Sequence, residues 1–218
     1  MIDLHTHTTF SDGVLIPAEL LRRARHAGYT AIAVTDHADL SNLEHNITNV
    51  LRLAKKYAAF AGIDVLAGAE ITHVPPPLIP ETIGLARAAG AQIVLVHGET
   101  VVEPVERGTN LAAIEGGCDV LAHPGLITPQ EAALAAERGV FLELTTRAGH
   151  SLSNGHVAAM ARATGARLVI NNDAHAPGDL VSPERRRATA LGAGLNQAEY
   201  EACEANSREL AGRLLGLR

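Results

Sequence analysis

Short apolar runs, many of them β-branched, alternate along the chain with longer stretches rich in alanine and leucine. Such alternation is expected of repeated strand–helix units whose parallel sheet is buried on both faces. Seven runs read as strands: Ile2–Leu4, Ala31–Thr35, Val65–Ala69, Ile93–Val96, Val120–Ala122, Val140–Leu144 and Leu168–Ile170. Most follow a glycine or a Gly-x pair, as in Gly28-Tyr29, Gly90-Ala91 and Gly165-Ala166, where a preceding helix would stop. The stretches between them predict helices at about 17–27, 41–61, 80–89, 110–116, 129–138, 153–164 and 183–192, with a last one at about 196–215. Periodicity does not choose between a closed barrel and an open doubly wound sheet. In either, ligands gather at the carboxyl ends of the strands.

The 218 residues suit one α/β domain spanning 1–218, with no linker or low-complexity stretch; Pro75-Pro76-Pro77 reads as a rigid loop. The net charge of −6 argues against a stable nucleic-acid partner and against an anionic membrane, both of which need a basic surface. Cys118 and Cys203 stand far apart in no paired motif, as in a reducing compartment. With no apolar run long enough to span a bilayer, and no signal-peptide pattern after Met1, the expected location is cytoplasmic.

Eleven histidines change this picture, because of where they fall. Six of the seven predicted strands end in metal-ligand residue types: His5-Thr6-His7, Asp36-His37, Glu70, His97, His123 and Asp173-Ala174-His175. In extended backbone, residues i and i+2 face the same way, so His5 with His7, and Asp173 with His175, can grip one ion from one segment. Asp12, in Ser11-Asp12-Gly13, adds a carboxylate from the loop after the first strand. A single histidine is usually an ordinary core or surface residue. Six histidines and three carboxylates at one end of a fold suit a transition-metal cluster.

These motifs resemble those of the polymerase and histidinol phosphatase (PHP) family over nearly the whole chain. They read His5-Thr6-His7-Thr8-Thr9-Phe10-Ser11-Asp12-Gly13, Val34-Thr35-Asp36-His37, His97-Gly98 with Leu121-Ala122-His123-Pro124, and Asn171-Asn172-Asp173-Ala174-His175. The resemblance implies a distorted seven-stranded (β/α)7 barrel with three divalent ions, zinc, iron or manganese, at its carboxyl end. It assigns His5, His7, Glu70 and Asp173 to the first ion, Glu70, His97 and His123 to the second, and Asp12, His37 and His175 to the third. Glu70 would bridge two of them. The family's usual serine before Asp173 is Asn172 here, a change that leaves the ligand set intact and falls on its surroundings.

A set of divalent ions suits in-line displacement at phosphorus, with a hydroxide shared by two ions as nucleophile. The expected substrate is a small phosphate monoester, histidinol-phosphate-like or a nucleotide phosphate, with a phosphodiester as the alternative. Arg147, just after the sixth strand, is the expected phosphate clamp, since guanidinium binds phosphate in bidentate fashion. Arg185, Arg186 and Arg187 begin a helix after the last strand; they point in different directions, so at most one or two could face a phosphate, and a role outside the site is the stronger reading. His26 and His45 read as structural or surface residues. His73, His150 and His156 are placed to touch substrate or protonate a leaving group. Asp36 and Glu99 read as either imidazole-orienting or solvated carboxylates, and Glu99, Glu103 and Glu106 as groups available to a cationic substrate. Two other classes compete. A metal-dependent amidohydrolase often uses a carboxylated lysine at a strand end, but the only lysines, Lys55 and Lys56, fall within a predicted helix. A metal-binding module without activity would be free to lose ligands, and none is lost.

Overall fold

The computed structural model describes residues 1–57 and 59–216. Strands and helices alternate as β1 (Ile2–Asp3), α1 (Pro17–His26), β2 (Ala31–Val34), β3 (His37–Ala38), α2 (Leu43–Tyr57), β4 (Asp64–Ile71), α3 (Ile79–Ala88), β5 (Ile93–His97), α4 (Thr109–Gly116) and β6 (Val120–Ala122). They continue as α5 (Pro129–Arg138), β7 (Phe141–Thr145), α6 (Asn154–Thr164), β8 (Leu168–Asn171), α7 (Pro183–Gly192) and α8 (Gln197–Leu214). All pairings are parallel, in the order β1-β2-β4-β5-β6-β7-β8, with β3 on β4. Among the described residues no helix is long and apolar enough to cross a membrane.

Side-chain alternation builds the barrel. Leu66, Ile93, Leu95, Val120, Phe141 and Val169 pack in one inner cluster with Leu4 and Ala33, joined by Leu210 and Ala211 of α8. The intervening Val94, Val96, Leu121, Leu142, Leu144 and Ile170 face outward, against Ile79, Ile83, Ile114, Ala135 and Val157 of the helical layer. Burial of both faces is the reason the strands read as unbroken apolar runs.

β1 and β8 meet only beyond their paired regions. A parallel bridge joins Thr6 to Ala174, and His7 N donates to the Ala174 carbonyl at 2.8 Å. Lower on this seam the stitching is polar: Leu4 N donates to Asn171 Oδ1 at 3.0 Å and Asn172 N to Asp3 Oδ1 at 3.1 Å. The ring is thus nearly closed, and the bridge that closes it lies beside His5, His7, Asp173 and His175.

Three sequence expectations need correction. The predicted strand end at Asp36-His37 is a separate short strand, β3, because the Thr35 amide turns to the Thr6 carbonyl at 2.9 Å and pairing with β4 resumes at His37. α2 begins at Leu43 and ends at Tyr57, inside the expected 41–61. At its start Asp39 Oδ1 accepts from Ser41 N and Oγ at 2.7 and 2.6 Å, and this side-chain turn holds 41–42 outside the helix.

The third concerns the arginine run. Arg186 is fully buried, paired with Glu204 (Nε to Oε1, 2.8 Å) and donating to the Ile170 carbonyl. Arg185 is exposed and Arg187 bonds Gln197 at 2.7 Å. Arg186 therefore joins β8 to α8 instead of facing a phosphate. Breaking a buried pair from one side leaves an uncompensated charge and costs about 3–5 kcal/mol. Urea unfolding of Arg186→Met is expected to show a loss of that size; a loss under about 1 kcal/mol would show that the pair does not hold this seam.

Candidate metal centre

The inner alternation that places apolar residues low in the barrel places polar ones at its carboxyl mouth. Along β4, β5, β7 and β8 the inward series run Leu66-Gly68-Glu70, Leu95-His97, Phe141-Glu143 and Val169-Asn171-Asp173. The β3–β4 register sets His37 opposite Glu70. His5 and His7 follow β1, His123 follows β6 and His175 follows β8, so the expected donors from six strand ends converge.

Glu70 is the centre of this arrangement. Fully buried, it lies with Oε2 3.2 Å from His5 Nε2, 3.6 Å from His7 Nε2 and 2.9 Å from His37 Nδ1, and with Oε1 3.4 Å from His123 Nε2. Asp173 Oδ1 stands 3.1 Å from His7 Nε2 and 3.6 Å from His5 Nε2. Asp12, the exposed member, brings Oδ1 to 3.2 Å from His175 Nε2 and 3.6 Å from His37 Nε2. Donor atoms lie within 4.8 Å of one another in four groups: His7, Asp12, His37 and His175; His5, His7 and Glu70; His5, His123 and Asp173; and His97, His123 and His150.

Seven buried polar atoms here have no hydrogen-bond partner: His5 Nε2, both ring nitrogens of His7, both oxygens of Glu70, Asp173 Oδ1 and His123 Nδ1. Orphaned buried polar atoms are costly and rare. Their concentration in one imidazole–carboxylate cluster is what a cation site requires, so the residues fit divalent metal. Backbone strain falls in the same place: His123 and Asp173 have φ of 27° and 53°, a conformation that costs non-glycine residues of order 1–3 kcal/mol.

The electrostatics are those of paired charges. Burial alone would raise Glu70 and Asp173, but the surrounding histidines, His5 foremost, hold both well below the usual carboxylate range. Burial disfavours the His5 imidazolium too, yet Glu143, Glu70 and Asp173 hold that ring well above its ordinary value. His7 goes the other way, down to about 3, because burial dominates.

Sequence reasoning missed Glu143. Its Oε1 lies 2.9 Å from His5 Nδ1 and accepts from Asn171 Nδ2 at 2.8 Å, while Oε2 accepts from His123 N at 3.1 Å. One carboxylate thus orients two of the donors, a common support for ligating imidazoles. The available signal was a lone acid at inward parity in Phe141-Leu142-Glu143-Leu144-Thr145. Asp36 is neither solvated nor bonded to an imidazole. It is buried and accepts from Thr8 N, Thr8 Oγ1 and Ser11 Oγ at 2.7–2.8 Å, fixing the loop that presents Asp12. Glu99 accepts from Gly108 N and Asn110 N at 2.9 and 3.1 Å, where α4 begins. Asn172 points to Tyr29, donating to its hydroxyl at 2.6 Å.

Arg147 lies beside the cluster, 31% exposed, with Nε 3.5 Å from Asp173 Oδ2. His150 is buried against His123, their rings 4.2 Å apart, and Glu103 Oε2 reaches His97 Nε2 at 3.1 Å. His73 borders a cleft of about 460 Å³ opening beside Asp12 and His37. His156 bonds the Ile127 carbonyl at 2.7 Å, and His26, His45 and Glu106 are exposed. Lys55 and Lys56 are exposed on α2, outside the cluster.

Residues 3–98 match the model of the PHP domain. The chain is 50% identical over 203 residues to an uncharacterized protein of Methanocaldococcus jannaschii, covering 91% of this chain and 92% of that protein. It is 27% identical over 204 residues to ribonuclease P protein component 3 of Methanosarcina mazei, covering 86% and 79%. The fold is similar to that of a candidate histidinol phosphatase of Listeria monocytogenes, with a TM-score of 0.61 at 14% identity over 82% of this chain and 97% of the other. The chain thus carries a PHP domain over residues 3–98, on a barrel whose fold agrees with that match.

Proposed function

We propose that this protein is a metal-dependent phosphoesterase that hydrolyses a small phosphate monoester, histidinol-phosphate-like or a nucleotide phosphate. The observation that carries this reading is the cluster of orphaned buried donors around Glu70 with Arg147 at its edge. His5, His7, Glu70 and Asp173 would hold a first ion, Glu70, His97 and His123 a second, and Asp12, His37 and His175 a third. Zinc, iron or manganese bound there supplies charge neutralisation at a phosphoryl group and acidification of water.

The chain's own residues set the rest. Glu143 keeps the His5 ring turned so that Nε2 faces the cluster, and Asp36 holds the Asp12 loop over it. Arg147, already drawn toward Asp173 and Asp179 (NH1 to Oδ2, 3.8 Å), offers its fork to phosphate oxygens. Arg147→Ala is expected to lower kcat/KM on an aryl phosphate about 100-fold, the loss typical of removing one transition-state donor. A rate within threefold of wild type would remove Arg147 from this role.

A small ester fits better than a polynucleotide, because a net charge of −6 opposes a long phosphate backbone. The exposed lysines leave Glu70 as the bridging group, which favours phosphoester over amide hydrolysis. The test is hydrolysis of an aryl phosphate monoester, its diester and an amide panel by the metal-loaded protein, before and after chelation. Chelator-sensitive turnover of the monoester above the others is expected. Preference for the diester or an amide would replace this reading.

A further inference from the structure

We propose that His150 and Glu103 are members of the metal centre, completing with His97 and His123 the site of the second ion. The inference rests on the metal-dependent reading above and revises its ligand set.

His97 is the first reason. Glu70 Oε1 reaches His123 Nε2 at 3.4 Å, whereas the carboxylate that meets His97 Nε2, at 3.1 Å, is Glu103. The second oxygen of Glu103 lies 3.4 Å from His150 Nε2, so one carboxylate spans the inward nitrogens of both rings. The donor atoms of His97, His123 and His150 lie within 4.8 Å of one another, all on buried residues, and His123 Nδ1 is without a partner.

Ring orientation is the second reason. A ligating histidine ordinarily engages its outer nitrogen with a fixed group, which aims the other at the ion. His5 Nδ1 meets Glu143 at 2.9 Å, His97 Nδ1 the Gly98 carbonyl at 3.2 Å and His175 Nδ1 the Asp173 carbonyl at 3.0 Å. His150 follows the same rule, with Nδ1 2.7 Å from Thr100 Oγ1 and Nε2 facing the cluster. His156, six residues on, instead engages the Ile127 carbonyl through Nε2. The loops supplying these groups are held together by a contact that admits only glycine, since a Cβ at Gly125 (φ +63°) would run into the Glu99 carbonyl beside Thr100. Three imidazoles and Glu103, beside the shared Glu70, form a donor set suited to zinc, iron or manganese.

The test is titration of the chelator-stripped, full-length protein with Zn²⁺ by calorimetry, with visible absorption of the Co²⁺-loaded form. His150→Gln and Glu103→Gln are compared with His97→Gln. His150→Gln is expected to lose one ion per chain or weaken the weakest site more than tenfold, and Glu103→Gln to weaken that site about tenfold, the lower end for groups around an ion. Both should change the Co²⁺ absorption. Glu103 is partly exposed, so its variant is read even where His150→Gln fails to fold. Wild-type stoichiometry, affinity and absorption in either variant, while His97→Gln loses an ion, would overturn the inference and leave the metal reading standing. Full retention in His97→Gln as well would overturn both.

Discussion

Glu70→Gln is expected to abolish phosphatase turnover, by three orders of magnitude or more, and to weaken metal binding at least 100-fold. Glu70 and Asp173 each lie near four histidines, but only Glu70, beside His5, His7, His37 and His123, has both oxygens buried without a hydrogen-bond partner. Glutamine keeps the volume, removes the charge and turns an amide donor toward imidazole nitrogens that must present lone pairs. Loss of groups that merely orient ligands costs 10–100-fold, so loss of a shared ligand should exceed that range. Single-turnover rates and a Zn²⁺ titration check both parts. Turnover within threefold of wild type with full metal content would mean that Glu70 bridges nothing.

Metal removal should have the larger effect on stability. Asp12, Glu70 and Asp173 converge on one cluster, and an ion present at about 1,000 times its Kd adds about 4 kcal/mol to a folded state that alone binds it. At about 2–4 °C per kcal/mol for a chain of this size, one ion is worth roughly 8–16 °C in Tm. Chelation is therefore expected to lower Tm by more than about 10 °C, and re-addition of metal to restore it. The gap should widen with pH. In the metal-free protein, burial favours the neutral rings of His5, His37 and His97, but the carboxylates beside them hold all three above imidazole's ordinary value. That stabilisation is fully present below about pH 6.5 and is lost as pH rises through the folded values. Metal binding needs deprotonated imidazole and strengthens over the same range. Melting curves at pH 6 and pH 8, with and without chelator, read both slopes; identical curves after verified metal removal would contradict a site coupled to folding.

The barrel was legible because its strands are buried on both faces and its helices are punctuated. α5 and α7 fall where Thr128-Pro129 and Ser182-Pro183 place their starts. The convergence of His5, His7, Glu70 and Asp173 was legible because period-two geometry and strand ends suffice to bring them together. What stayed hidden depends on packing across the sheet. Glu143 reads as an interruption of an apolar strand until the nearly closed ring brings β7 within one strand of the segment that carries His5. Arg186 reads as one of three surface arginines until α7 docks on α8 and buries it, because only the turn of the helix separates its fate from that of its neighbours. His150 and Glu103 lie 47 residues apart on loops whose convergence no local pattern encodes.

Elemental analysis of the purified protein, after loading with zinc, iron or manganese and removal of excess ion, tests the central claim most directly. Close to three ions per chain is the predicted result. One ion or none, after attempted loading of protein shown to be folded, would contradict a trinuclear centre at the mouth of this barrel.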